Sequence, residues 1–375
     1  MPDSTSSIGP YAIAVDWLIA CDGARSPTRR ALGLGFEGRV FEDKFLIADI
    51  RSKDAALPPE RRFWFEPCFH DGQTALLHKQ PDDLWRLDFQ LGWKADAELE
   101  RDPARVAARV AAMLPGVGFA LEWVSVYVFQ CRTLDRYVHG RVIFAGDAAH
   151  QVSPFGARGG NGGVQDADNL GWKLGRVVRG ESPPALLESY NTERLTAARE
   201  NIAASTRATD FMTPRSPGGR ALRDAALALA PAHPAVRAMV NPGRLSQPRH
   251  YGPGGLATPD EAAWTGGPAP GSPAPDAPLE DGWLLDRLRG WIIITADARA
   301  PARLGECAVM RLGQELHPID AKLADRWALT GSATYLLRPD QHVAARWPRF
   351  DPAAIRVAHA HAACTRPDAA FRDAA

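Results

Sequence analysis

The sequence predicts a mixed α/β and α+β protein built from more than one unit, and three observations carry that prediction. An apolar strand runs through a glycine-rich turn into an amphipathic helix over residues 141–179, and the stretch from Phe36 to about Tyr137 reads as alternating β-strands. A Pro- and Gly-rich segment then separates both from a compact α/β tail. At roughly 150 residues per domain, 375 residues allow two or three domains, and 45% hydrophobic with 23% charged residues is the balance of an ordinary folded protein.

Taken in order, Trp17-Leu18-Ile19-Ala20 reads as a short buried strand that stops at the turn Cys21-Asp22-Gly23. From Phe36 onward, Phe45–Ala48, Phe63–Phe65, Ala75–Leu77 and Trp85–Leu91 are bounded by Pro, Gly and Asp, and the last alternates with period two, as half-buried antiparallel strands do. One helix interrupts them from Pro103 to about Leu114, with Val106, Val110, Met113 and Leu114 at helical spacing. The strand Arg141–Gly146 leads through glycines to a helix over about Asn161–Arg179. There Val164, Ala167, Leu170, Leu174 and Val177 or Val178 form a stripe expected to face a core. Acidic Asp166 and Asp168 precede basic Lys173, Arg176 and Arg179, matching the helix dipole, and Gly180 suits the C′ position. A second helix opens at Pro183-Pro184 and runs through Leu187, Tyr190, Arg194, Ala198 and Ile202. Residues 251–278 read as an interdomain linker, and the tail carries strands at Trp291–Ala296 and Tyr335–Leu337, the latter turning at Arg338-Pro339-Asp340 toward a hairpin strand.

Composition narrows the function. Lys+Arg and Asp+Glu are both 44, so the basic excess that nucleic acids or anionic membranes require is missing. No apolar run approaches the ~20 residues of a membrane span, and the polar start Met1–Ser7 lacks a signal-peptide pattern; the reading is cytoplasmic. Five cysteines without a C-x-x-C pair fit neither a disulfide framework nor a zinc site, so reduced thiols and no metal are expected.

The chemistry concentrates in Gly146-Asp147-Ala148-Ala149-His150 and Pro154-Phe155-Gly156-Ala157-Arg158-Gly159-Gly160-Asn161-Gly162-Gly163. A strand end, a glycine-rich turn and a helix start together offer close backbone approach and unpaired N–H groups on a positive helix end. Asp147, at the carboxyl end of a presumed parallel strand, sits where open α/β sheets hold ligands and is suited to accept hydrogen bonds from hydroxyls. Alone, such a loop is equally an ordinary helix start, and its glycines follow neither the dinucleotide fingerprint in its proper context nor a Walker A ending.

The string Val142–His150 with Pro154 and Gly159-Gly160-Asn161 resembles the Gly-Asp motif of the class A flavoprotein monooxygenases, the para-hydroxybenzoate and phenol hydroxylase group. The resemblance implies that Asp147, following Gly146, binds the ribityl chain of FAD. It further implies that backbone at Gly160 and Asn161, after Gly159 of the same cofactor-binding run, faces the flavin pyrimidine oxygen and that Pro154 lies beside the isoalloxazine. Asp22-Gly23-Ala24-Arg25-Ser26-Pro27-Thr28-Arg29 is similar to the family's Asp-Gly-x-x-Ser-x-x-Arg pattern, which assigns Asp22, Gly23 and Arg29 to flavin and reduced-nicotinamide interactions. Read by itself, the same arginine is a solvated surface group.

The implied architecture is a partial FAD-binding Rossmann-like domain (1–35 and 138–250) with an inserted β-rich substrate domain (36–137), a linker (251–278) and a thioredoxin-like tail (279–375). Where a redox thioredoxin places C-x-x-C, this chain has Ala296-Asp297-Ala298-Arg299, which gives the tail a structural or oligomer-forming role. Members of the family begin with a βαβ unit carrying Gly-x-Gly-x-x-Gly, and nothing ahead of Asp22 fits it; the expectation is an N-terminally truncated chain that binds FAD poorly.

The implied cycle is reduction of FAD by NAD(P)H, addition of dioxygen at flavin C4a, and hydroxyl transfer from that hydroperoxide to a small phenolic ring. The sequence assigns no catalytic side chain: His150 reads as packed, His70, His78 and Tyr127 fall in the insert, and Trp64, Phe65, Trp85, Phe89, Trp93 and Trp123 are candidate pocket walls. Two alternatives stand beside the hydroxylase. A flavin halogenase would carry Trp-x-Trp-x-Ile-Pro, which does not occur, whereas a catalytically inactive remnant or interaction module is favoured by the missing fingerprint.

Overall fold

The computed structural model describes residues 11–54, 57, 59–70, 72–154, 157–214, 216–240, 247–252, 254–261 and 263–366. Phe155 and Gly156 of the glycine-rich loop and the polar start Met1–Ser7 lie outside them.

The chain begins with strand β1 (Leu18–Ala20) and helix α1 (Pro27–Ala31), then lays down β2 (Glu37–Arg51), β3 (Arg61–Phe65), β4 (Thr74–Lys79) and β5 (Leu84–Gly92). Helices α2 (Ala97–Glu100) and α3 (Pro103–Met113) precede the long strand β6 (Ala120–Thr133). The chain returns through β7 (Val138–His139), β8 (Val142–Phe144), a 3₁₀ turn at Gly146–Ala148 and β9 (His150–Gln151) to helices α4 (Arg158–Val178), α5 (Leu187–Met212), α6 (Pro217–Leu229) and α7 (Pro234–Val240). The tail comprises β10 (Pro278–Leu279), β11 (Gly282–Trp283), α8 (Leu284–Arg287), β12 (Ile292–Thr295), β13 (Arg303–Leu304), β14 (Cys307–Arg311), α9 (Lys322–Trp327), β15 (Thr334–Leu337), β16 (Val343–Trp347) and α10 (Pro352–Ala362).

A six-stranded antiparallel sheet in the order β3-β4-β5-β2-β6-β9 is the largest element. Its period-two pattern sorts side chains by face: Leu46, Ala48, Ile50, Leu77, Leu87 and Phe89 are buried against Val106, Val110 and Met113 of α3. Asp102 caps α3 by accepting from the amides of Ala104 and Arg105, and Pro103 fills its first position, so the helix starts where the sequence predicts.

β1 pairs in parallel with β8, with Leu18 opposite Val142 and Ala20 opposite Phe144, and β7 closes this small sheet antiparallel to β8. The expected burial of the first strand is corrected. Only Ala20 is buried, because β8 is its sole strand partner among the described residues and Leu18 and Ile19 remain exposed.

Helix α4 begins at Arg158, three residues earlier than expected, so Gly159, Gly160 and Asn161 lie in its first turns and not in a loop. Its stripe is also corrected. Leu170 is buried and Leu174 and Val177 pack beside it, so of the two valines Val177 is the one in the stripe; Val164 and Ala167 face outward, and the rest of the buried face is Gly162, Asp166, Asn169, Lys173 and Arg176. Hydrophobic periodicity is blind to this face because the polar side chains are buried as pairs. Lys173 donates to Glu193 (2.7 Å), Asn169 donates to Glu193 (2.7 Å) and Asp340 (3.1 Å), and Arg176 bonds Glu306 through two oxygens. Arg338 of the tail bonds both oxygens of Glu193 on α5, which fastens the tail to the α4–α5 pair.

The tail's five-stranded sheet runs β13-β14-β12-β15-β16; β12 and β14 are parallel and the other pairs antiparallel. The stretch read as a linker is bonded along the β16 edge: Thr258 donates to Ala344, Gly271 to Val343, and Val343 back to Ser272. The five cysteines are free thiols, with Cys21 and Cys68 exposed. Among the described residues no helix is long and apolar enough to cross a membrane.

Candidate functional site

Three elements converge on a cleft of about 610 Å³. The sheet contributes Ile47, Tyr127 and Phe129, the turn after β8 contributes Asp147, and the segment from Gln151 into α4 contributes Pro154 and Arg158 through Asn161. Ala24, next to Gly23, completes the lining.

The turn is shaped by Gly146, which adopts φ +58° and lets the chain leave β8 sharply, so that Asp147 emerges exposed at the rim. The N-terminus of α4 has no side-chain cap, and Ala157 enters it in the left-handed conformation at φ +51°. Helix geometry leaves the amides of Gly159 and Gly160 without intrahelical acceptors, and both residues line the cleft beside Arg158. Asn161 is also at the lining, and its side-chain amide donates to the Ala157 carbonyl (2.6 Å).

Behind this surface lies a buried scaffold that the sequence reading did not find. Asp166 accepts from the Gly146 amide (2.9 Å), from Arg194 (2.7 Å) and from His150 (2.7 Å). Burial works against its charge, but the hydrogen bond and charge of His150 and then the charge of Arg194 outweigh it and hold the carboxyl below its usual range. Gly162 meets this cluster closely: a Cβ there would approach His150 Cε1 to 3.2 Å. His150 is therefore packed and bonded, as its residue type suggested. The signal for Asp166 was present only as a charge inside a helix, which reads as a solvated face.

The Asp-Gly segment supports the cleft more than it lines it. Asp22 accepts from the Thr28 amide (2.9 Å) at the start of α1, and Gly23 takes φ +78°. Partial burial opposes the Asp22 charge, but bonds with Ser26 and Thr28 keep its carboxyl below the usual value. Arg29 is buried, not a solvated surface group: it donates to the carbonyls of Ala148 (2.9 Å) and Ala24 (2.7 Å), and its guanidinium lies 4.0 Å over Phe36. It therefore ties the Asp-Gly turn to the residue after Asp147.

Beside the cleft, and sharing Ile47, Phe129 and Pro154 with it, a smaller pocket of about 180 Å³ opens over the sheet. Phe45, Phe63 and Leu76 wall it, and His78, Arg86 and Asp88 point polar groups to it. Of the aromatic residues named from sequence, Trp64, Trp85 and Phe89 pack in the core on the opposite face, Trp93 and Trp123 are exposed, and Phe65 stacks near Phe63. Tyr127 does line the cleft, whereas His70 bonds the Gln90 carbonyl (2.6 Å) away from it.

The uncapped amides and the exposed carboxylate fit an electron-rich ring carrying a polyhydroxyl chain. The literal string Gly-x-Gly-x-x-Gly occurs once in the sequence, at Gly33–Gly38, and there it leads from α1 into β2, the reverse of a strand entering a helix.

Comparison with known proteins agrees with this geometry. A family model described as an FAD binding domain matches residues 5–205. The 3-(3-hydroxy-phenyl)propionate/3-hydroxycinnamic acid hydroxylase of Mycobacterium sp. (strain JLS) is 30% identical over 253 residues, which are 67% of this chain and 44% of that protein. The enzyme of that name from Escherichia coli (strain SMS-3-5 / SECEC) is 31% identical over 252 residues, 67% of this chain and 44% of that protein. The chain thus spans less than half the length of these curated relatives. Among solved structures, the flavin-dependent monooxygenase PieE in complex with FAD and substrate superposes with a TM-score of 0.67 at 23% identity, covering 94% of this chain and 69% of that one. Aklavinone-11 hydroxylase with FAD and aklavinone gives 0.68 at 20% identity, covering 95% and 67%. The chain belongs to the FAD-binding family of class A flavoprotein aromatic monooxygenases, whose cofactor is FAD.

Proposed function

We propose that this chain carries the flavin-facing and substrate-facing parts of an aromatic hydroxylase that uses NAD(P)H and dioxygen on a phenolic ring. The observation that carries the reading is the shared cleft: Asp147 and the uncapped start of α4 on one side, Ile47, Tyr127 and Phe129 of the sheet on the other. When bound, FAD supplies the activation of dioxygen.

The residues divide the remaining work. Asp147 would accept hydrogen bonds from the ribityl hydroxyls, and the amides of Gly159 and Gly160, at the positive end of α4, would favour negative charge on the flavin. Gly146 sets the turn, Asn161 holds the first turn of the helix, Pro154 borders both hollows, and Asp22, Gly23 and Arg29 fix the opposite wall. The sheet presents the substrate ring and excludes water from it. The names of the curated relatives point to a hydroxyphenyl-propionate or hydroxycinnamate as the first substrates to try. In the tail, the order β14-β12-β15-β16 with a parallel β12–β14 pair and a closing helix supports a thioredoxin-like unit that stabilises the protein without redox chemistry.

The test supplies FAD, NAD(P)H and 3-(3-hydroxyphenyl)propionate under isotopically heavy dioxygen and follows the product by mass spectrometry. One labelled oxygen, carried as a new hydroxyl on the ring, is the expected result. Bound flavin with no labelled product, even when other phenols are offered, contradicts the reading.

A further inference from the structure

The pocket over the sheet contains polar atoms that the protein does not satisfy. Asp88 Oδ1 and His78 Nε2 are both buried and have no hydrogen-bond partner among the described residues. Buried polar atoms are almost always paired, and leaving one unpaired costs on the order of 1–3 kcal/mol, so two beside one hollow are an unusual arrangement.

Strand register explains how they meet. Asp88 lies opposite Leu76 on β4 and opposite Ile47 on β2, and His78, two residues beyond Leu76, shares that face as Asp88's diagonal neighbour. Ser125, opposite Ile47 on β6, carries a third buried and unpartnered atom, its Oγ, on the same face. The charged groups around Asp88 are accounted for. Arg86 is held by Asp49 through two bonds of 2.8 Å, and Arg61 on β3 is exposed at the pocket's edge, opposite His78. Neither arginine donates a hydrogen bond to Asp88 Oδ1. The walls are apolar and aromatic: Phe45, Phe63, Phe129, Ile47 and Leu76.

We propose that Asp88 is the residue that receives the substrate's ring hydroxyl. The ring enters among Phe63, Phe129 and Ile47, its O–H donates to Asp88 Oδ1, and His78 Nε2 offers a second polar contact. This rests on the hydroxylase reading and extends it, by assigning the pocket to a ring bearing a free hydroxyl. As the reaction proceeds the phenol O–H bond breaks, the proton passes to Asp88 Oδ1, and the electron pair stays on the phenol oxygen, which enriches the ring for attack. Burial, partly offset by Arg86 and Arg61, raises the Asp88 carboxyl to about 6, close to neutrality and so suited to exchange a proton near neutral pH. Burial and then the charges of Arg61 and Arg86 lower the His78 ring's value, which keeps it neutral.

The test measures binding of phenol and of its methyl ether, anisole, to the full chain supplied with FAD, by equilibrium dialysis. Wild type is expected to prefer phenol. Asp88→Asn should weaken phenol by about tenfold and leave anisole unchanged, because only the charged acceptor for the hydroxyl is lost. In wild type alone the preference for phenol should shrink as pH falls through about 6, where Asp88 takes up a proton, and this reading stands even if the variant folds badly. Equal loss for both ligands, no loss for either, or a pH-independent preference overturns the proposal. Failure of the hydroxylase reading looks different: the phenol preference and its pH dependence persist, yet no oxygenated product forms.

Discussion

Two buried carboxylates, Asp166 and Asp88, divide this molecule into a finished region and an unfinished one. Asp166, behind the turn after β8, accepts from an amide, an arginine and a histidine, and its carboxyl is held below the usual range. Asp88, on the pocket face of the sheet, has an oxygen with no donor, and its carboxyl rises to about 6. The first arrangement is complete without any other molecule and fixes the cleft's shape. The second is completed only by something that donates a hydrogen bond, which is the behaviour of a binding surface.

Breaking the finished region should have the largest effect. Asp166→Ala takes the carboxylate partner from the buried Arg194 and frees the Gly146 amide, so a loss of about 3–5 kcal/mol is expected in urea unfolding. A loss under about 1 kcal/mol means that the cluster does not hold the turn. The sign with pH follows: because the folded Asp166 value is depressed, its stabilisation is present above the unfolded value of about 4 and disappears as pH falls further. The acid limb of the stability curve should therefore be steep in wild type and shallower in Asp166→Asn.

Arg29→Ala comes next, at about 2–3 kcal/mol, since it removes a buried cation and leaves the Ala148 carbonyl without that donor. Unchanged stability would show that the two motif segments are held together by other contacts.

The unfinished region should respond in the opposite direction. A carboxyl whose folded value is raised holds its proton while the unfolded chain has lost it, so stability falls as pH rises from about 4 to about 6 and stays lowered above. Asp88→Asn removes that penalty and should stabilise the protein at neutral pH, on the order of 1–2 kcal/mol, while impairing phenol binding. Destabilisation by this substitution contradicts the contrast between the two regions. Asp147→Ala should change stability least, within about 0.5 kcal/mol, because the side chain is exposed at the rim.

The sequence made the strands legible wherever alternation or a cap dictated them: β5 with its period of two, and α3 between Asp102 and Leu114. The motif residues were legible because a turn, glycines and a carboxylate follow one strand in order. What remained hidden was pairing. Asp166, Asn169 and Lys173 sit where a helix reads as solvated, and only the positions of Glu193, Arg194 and Asp340 in space explain their burial. Asp88 was hidden for a related reason: on an alternating strand the polar face looks like the solvent face, and only the aromatic and apolar side chains of neighbouring strands, with Pro154, enclose it. The part of the α4 stripe that failed has the same origin, since Val164 and Ala167 are apolar by type but meet no core.

The central claim is that Asp147 and the start of α4 hold the flavin ring and its sugar-alcohol chain. It is tested most directly by titrating wild type and Asp147→Ala with riboflavin and with lumiflavin, which lacks the ribityl chain, and following flavin fluorescence. Asp147→Ala is expected to weaken riboflavin by about tenfold and to leave lumiflavin unaffected. Equal affinities of wild type and variant for riboflavin would contradict it.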